Sequence, residues 1–217
     1  MMQASERREE VRVSAGTVSL PGDLAVPAGA TGAVIFAHGS GSSRHSPRNL
    51  QIAETLNDAG VATLLFDLLT PEEGEDRALV FDIPFLAKRL LAATRWTWSR
   101  PDAGTLPVGY FGASTGAAAA LRAAADLGAG IGAVVSRGGR PDLAATHLAS
   151  VTAPTLLIVG ELDGEVLVLN EQSRARMTCE SALQVVPGAT HLFEEPGTLE
   201  EVARLATDWF VRHLPAR

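Results

Sequence analysis

The chain has 217 residues, with 18 Lys and Arg against 25 Asp and Glu, for a formal charge of −7. A hydrophobic share of 46% with 20% charged residues excludes a disordered chain, and the length fits a single domain over residues 1–217. The acidic balance removes the counterion release behind generic nucleic-acid binding, the lone Cys179 cannot form an internal disulfide, and no apolar run approaches the roughly 18 residues of a membrane span. A cytoplasmic location is expected, with neither nucleic acid nor membrane as partner; the oligomeric state stays open.

Residues 1–9, within MMQASERREE, carry charges of both signs and no apolar core, and are expected to form a flexible N-terminus. From 11 to 28 apolar and polar residues alternate around Ala15-Gly16 and Pro21-Gly22, the pattern of an antiparallel meander with one buried face. Short runs apolar on both faces follow at 33–36, 62–66, 108–111, 133–135, 155–159 and 183–186, and such runs predict central parallel strands. Between them lie helical stretches at 47–59, opened by Ser46-Pro47, at 80–98, at the Ala-rich 115–127, at about 167–178 and at 198–213. This alternation predicts an α/β fold: a mostly parallel central sheet, an N-terminal antiparallel hairpin and helices on both faces.

In such a sheet ligands gather at the carboxyl ends of the strands. The run at 108–111 leads into Gly112-Ala113-Ser114-Thr115-Gly116 and then a helix, which is a Gly-x-Ser-x-Gly turn between strand and helix. The turn strains the serine backbone, and strand and helix come too close at Gly112 and Gly116 for side chains. A serine hydroxyl needs a base, and the base needs a carboxylate to hold its tautomer. In the chain order Ser, acid, His, Asp163 follows the run at 155–159 and His191 follows the run at 183–186. Glu161 competes for the acid role; Asp163 is favoured because the loop needs about two more residues to pass behind the imidazole. Oxyanion donors are expected from the backbone of Thr115 and of Ser40, the latter in His38-Gly39-Ser40-Gly41-Ser42-Ser43, where His38 is expected to brace the loop.

These residues resemble the α/β-hydrolase superfamily and, within it, the dienelactone hydrolase-like branch of small enzymes without a cap domain. The chain is also similar to hydrolases carrying the strings SSRHSPRN (42–49) and SRGGRPDLA (136–144). One departure matters. Dienelactone hydrolases proper use a Cys nucleophile, so their lactone specificity does not carry over to Ser114, and Cys179, expected in a helix far from any strand end, does not replace it.

The expected activity is hydrolysis of a small soluble carboxylic ester or lactone through a Ser114-His191-Asp163 triad and an acyl-enzyme, with no cofactor and no metal. The alternatives are a non-catalytic small-molecule binding protein of the same fold, or an acyltransferase or perhydrolase using the same triad. Only about 19 residues separate the runs at 133–135 and 155–159, room for one short helix and no lid, so the site should be open. Gly41, Arg44 and Arg137 are candidate substrate contacts. Arg137 either clamps an anionic group, with Arg44, Arg48 and Arg140 nearby, or pairs with Asp67 or Asp142 and fastens loops.

Overall fold

The computed structural model describes residues 7–215. Its first element, β1 (Arg7–Ala15), takes in residues 7–9 of the segment expected to be flexible; residues 1–6 of that segment lie outside the described residues. β1 turns at Gly16, φ 71°, into antiparallel β2 (Val18–Val26). The second expected break is no turn: Pro21 and Gly22 lie within β2, where Pro21 faces Arg12 and its carbonyl accepts from the Asp67 N–H at 3.1 Å. A proline is tolerated there because the β2–β4 ladder starts one residue later, at Gly22 opposite Phe66.

After the hairpin come β3 (Gly32–Ala37), α1 (Pro47–Asp58), β4 (Val61–Phe66) and three helices, α2 (Pro71–Glu75), α3 (Arg77–Val80) and α4 (Ile83–Trp98). Then follow β5 (Val108–Ala113), α5 (Thr115–Leu127), β6 (Ile131–Arg137), β7 (Thr155–Gly160), α6 (Gly164–Arg174), β8 (Ser181–Val186) and α7 (Thr198–His213). The eight strands form one sheet in the order β1-β2-β4-β3-β5-β6-β7-β8, parallel from β4 to β8 and antiparallel at β1, β2 and the β2–β4 junction.

Alternate strand residues feed two cores. Ile35, Leu64, Tyr110 and Val134 meet α4 and α5 on one face, while Val34, Phe36, Phe111 and Val135 meet α1 and α7 on the other. This two-sided burial explains the unbroken apolar runs. β8 departs from the central-strand expectation: it is the sheet edge, and Val185 is 41% exposed.

Three boundaries differ from those expected. The stretch read as one helix from 80 is split, because Asp82 caps α4 by accepting from the Phe85 N–H at 2.9 Å, leaving α3 separate. α6 begins at Gly164, immediately after Asp163, and ends where the Arg176 and Met177 amides close on Ser173 and Arg174 at 3.0 Å. Cys179 therefore lies outside any helix, in the approach to β8, with Sγ 3.9 Å from Oγ1 of Thr155 at the amino end of β7. Between β6 and β7 stand two 3-10 turns, at Pro141–Ala144 and Leu148–Ser150, rather than a helix, and no cap is inserted there. Among the described residues no helix is long and apolar enough to cross a membrane.

Candidate active site

The strand order reverses between β3 and β5, and the loops leaving their carboxyl ends open a crevice at that point. Ser114 stands there with φ 51° and ψ −121°, between the last residue of β5 and the first of α5. Only Ser114 and Phe193 have positive φ among the described non-glycine residues. Such a conformation costs on the order of 1–3 kcal/mol and persists because neighbours over-determine it. The Ser114 N–H donates to the Arg137 carbonyl at 3.3 Å, and its carbonyl accepts from the amides of Arg140 and Ala117, each at 3.1 Å. The glycines are required as expected: a Cβ on Gly116 would lie 2.1 Å from the Ala37 carbonyl oxygen, and one on Gly112 would lie 2.4 Å from Cα of Ala117.

His191 reaches the site from the loop after β8, with its Nδ1 2.6 Å from Oδ2 of Asp163. Asp163 occupies the N-cap position of α6 yet makes no side-chain cap bond, so its carboxylate is free to meet the imidazole. Glu161, the competing acid, instead accepts from the Gly188 N–H at 2.8 Å. The ring rests beside Gly138, φ 49°, where a Cβ would stand 3.5 Å from both Nδ1 and Cε1. Gly138 directly follows the residue whose carbonyl holds Ser114, which puts imidazole and elbow in one crevice. Two further features fix the His191 loop: Glu195 binds the amide and hydroxyl of Thr190 at 3.1 and 2.6 Å, and the Phe193 ring is buried.

On the other side of Ser114 the loop after β3 passes so close that a Cβ on Gly39 would touch Cβ of Ser114 at 3.0 Å. His38 braces it. Its Nε2 accepts from the Leu68 N–H at 3.1 Å, so Nδ1 carries the proton and donates to the Gly39 carbonyl at 3.0 Å. Burial pushes the His38 pKa below its ordinary value, against smaller opposing effects of the Gly39 bond and Asp67, which keeps the ring neutral. The Ser40 N–H donates to Oγ1 of the buried Thr115 at 3.0 Å, a contact with no sequence signal.

A cavity of about 370 Å³ extends from Ser40, Gly41 and Thr115 past Leu68, Leu69, Val80 and Leu86. Its wall includes α2, whose Thr70 and Glu73 form a capping box legible in the sequence as Thr-Pro-Glu-Glu. Arg89 pins that wall by donating to Glu73 at 2.5 Å and to the Ala15 carbonyl at 2.9 Å. Arg44 lines the cavity, but its guanidinium is committed to Asp67 at 2.8 Å and Asp23 at 3.0 Å. Burial opposes its charge, yet the two carboxylates outweigh that and raise its pKa.

The pairing of Arg137 with Asp67 or Asp142 does not occur. Asp67 belongs to Arg44, and Asp142 binds Arg140 at 2.8 Å. Backbone geometry explains this: Arg137 ends β6 pointing to the α1 and α7 face, away from both carboxylates, and stacks 5.8 Å from the Phe193 ring centroid.

A dienelactone hydrolase from Anabaena variabilis is 55% identical in sequence, with a TM-score of 0.94 over 96% of this chain and 99% of that one. The chain belongs to the dienelactone hydrolase-like branch of the α/β-hydrolase superfamily. Within that family's wider fold, Est1E from Butyrivibrio proteoclasticus matches with a TM-score of 0.81 at 18% identity, over 94% of this chain and 98% of that one, a likeness of fold alone. Two curated proteins of Mycobacterium tuberculosis, provisionally named phosphoribosyl transferases, are 64% identical over 208 residues, or 96% of this chain. The chain spans about half, 47%, of their length. No family model matches the sequence.

Proposed function

We propose that this member of the dienelactone hydrolase-like branch is a serine hydrolase acting on small carboxylic esters or lactones. The observation that carries the reading is the 2.6 Å bond between Asp163 and His191, on loops converging beside the strained elbow of Ser114. In this reading Nε2 of His191 takes the Ser114 hydroxyl proton as Oγ attacks the substrate carbonyl, and Asp163 holds the proton on Nδ1 and stabilises the imidazolium. The N–H of Thr115, at the positive end of α5, receives the oxyanion, joined by the Ser40 N–H once it leaves Oγ1 of Thr115, to which it donates in the free protein. The imidazolium then protonates the leaving alcohol, and water, deprotonated by the same ring, releases the acid from the acyl-enzyme.

The cavity next to Ser40 and Thr115 sets Leu68, Leu69, Val80 and Leu86 beside neutral Ser42, Ser43 and Thr70, and its Arg44 and Asp67 pair with each other, which supports an uncharged group on one side of the scissile bond. With Arg44 already held by two carboxylates, an anion has little to gain there. The name of the longer mycobacterial relatives describes chains of about twice this length, and supplies no argument for a transferase site in this half.

A fluorophosphonate probe tests the reading. Labelling of Ser114 at one equivalent per chain, with loss of 4-nitrophenyl butyrate hydrolysis in Ser114→Ala, is the expected result. A protein that resists labelling and turns over no ester in a broad panel would instead be a binding protein of the same fold.

A further inference from the structure

The proposed chemistry leaves two sequence strings unused, 42–49 and 136–144, and the fold brings them together. Arg48 of the first lies in the opening turn of α1 and binds Glu194, and Arg137 of the second ends β6 and stacks on the adjacent Phe193, so the two side chains meet consecutive residues of one loop. Arg137 is 7% exposed, and its side chain makes no hydrogen bond or ion pair to any described residue; its Nε is sealed without a partner. A buried guanidinium stacked on one phenyl ring with no carboxylate partner is an unfavourable arrangement by itself. It remains charged at neutral pH: burial first, and then Arg48, lower its pKa only to about 10.

Arg48 repeats the conflict. It stands at the positive end of a helix dipole, in a first turn with no acidic residue, and its Nε is also sealed and unpartnered. One carboxylate answers the two cations: Glu194, which accepts from Nη1 of Arg48 at 3.1 Å and lies three residues past His191. The place is next to the chemistry, since the Arg137 carbonyl holds the Ser114 amide and Gly138 supports the His191 ring.

Resting on the reading of Ser114 as nucleophile, we propose that Arg137 and Arg48 form a subsite for a phosphate group carried by the ester substrate. Two guanidinium groups from different elements, with the N-terminus of α1 behind one of them, thus converge on Phe193 and Glu194 of the His191 loop. A phosphate offers three oxygens and a charge near −2, so both forks can engage it and Glu194 is displaced from Arg48; a planar carboxylate fills one fork. The cavity at Leu68 and Leu86 belongs to the α4 and α5 side of the sheet and Arg137 to the α1 and α7 side, so the substrate would present an uncharged group to one side and its phosphate to the other.

The test separates binding from catalysis. Inorganic phosphate, titrated calorimetrically into the Ser114→Ala protein, should bind, and binding should weaken at least about tenfold in Arg137→Met and in Arg48→Met, the second variant guarding against a folding defect in the first. With Ser114 intact, an acyl ester of glycerol phosphate should show a KM raised about tenfold by either substitution, while KM for the neutral acylglycerol changes less than about twofold. Absence of phosphate binding, equal losses on both esters, or a stronger preference for a hemisuccinate ester would each overturn the proposal. Failure of the catalytic reading would look different: phosphate would still bind while no ester turned over and no fluorophosphonate reacted.

Discussion

The backbone N–H of Ser40 donates to Oγ1 of Thr115 across 3.0 Å, tying the loop after β3 to the first turn of α5. The single Ser40 N–H is thus spent on the Thr115 hydroxyl in the free protein, which parks it beside the Thr115 amide with which it would share an oxyanion once that bond opens. Loss of a whole oxyanion donor typically costs 10²–10³ in kcat, so loosening its aim should cost less. Thr115→Val, which keeps the shape and removes the acceptor, should lower kcat about tenfold on a short ester with KM nearly unchanged, and Thr115→Ser should restore it. A faster Thr115→Val enzyme would mean that the hydroxyl obstructs the Ser40 amide rather than aiming it.

The acid is tested by a pair of isosteric changes. Asp163→Asn keeps the volume at the 2.6 Å contact but favours the wrong imidazole tautomer, and should lower kcat by about 10³–10⁴. Glu161→Gln, whose carboxylate meets the exposed Gly188 amide, should change kcat less than about twofold. Steady-state rates of the two variants, reversed in order, would move the acid role to Glu161.

Two glycine-to-alanine changes should have opposite effects on stability. At Gly116 the new Cβ would overlap backbone oxygens of Ala37 and His38 at 2.1 and 2.5 Å, and the expected loss is roughly 3 kcal/mol or more, seen as insoluble or early-melting protein. At Gly164, the first residue of α6, no atom lies within 4 Å, and alanine should add up to about 1 kcal/mol through helix propensity. Urea midpoints check both.

His38 links the oxyanion loop to pH. Its folded pKa lies below the ordinary 6.5, so between the two values the unfolded chain binds the proton and the native state does not. Its contribution to stability is therefore complete above about pH 6.5 and is lost as the pH falls below that value. His213, also lowered by burial, acts in the same direction. Denaturation midpoints at pH 8 and pH 5.5 should differ less in His38→Gln than in the natural protein, although the variant is the less stable at pH 8. An unchanged pH slope would show that His38 is not the group that titrates.

Much of this was legible locally. The two-sided apolar runs required a covered parallel sheet, and Gly112-Ala113-Ser114-Thr115-Gly116 between strand and helix required a strained serine, because the close approach of β5 and α5 is a consequence of that turn. The order of Asp163 and His191 placed both at carboxyl ends of strands. What could not be read was anything set by side-chain direction across the sheet. Between the two carboxylates of Gly-Glu-Leu-Asp, loop length already favoured Asp163; the contacts that separate them, Asp163 with the imidazole and Glu161 with the Gly188 amide, come from the turn after β7. Cys179 fell outside a helix for a similar reason, since the end of α6 depends on where its first turn begins. Arg137 shows the limit best. Its charge suggested a carboxylate partner, but the pleat of β6 turns it to the α1 face, and Asp67 and Asp142 were already engaged by Arg44 and Arg140. Periodicity reports which residues are buried; which buried or half-buried charge meets which is decided by distances between segments far apart in the chain.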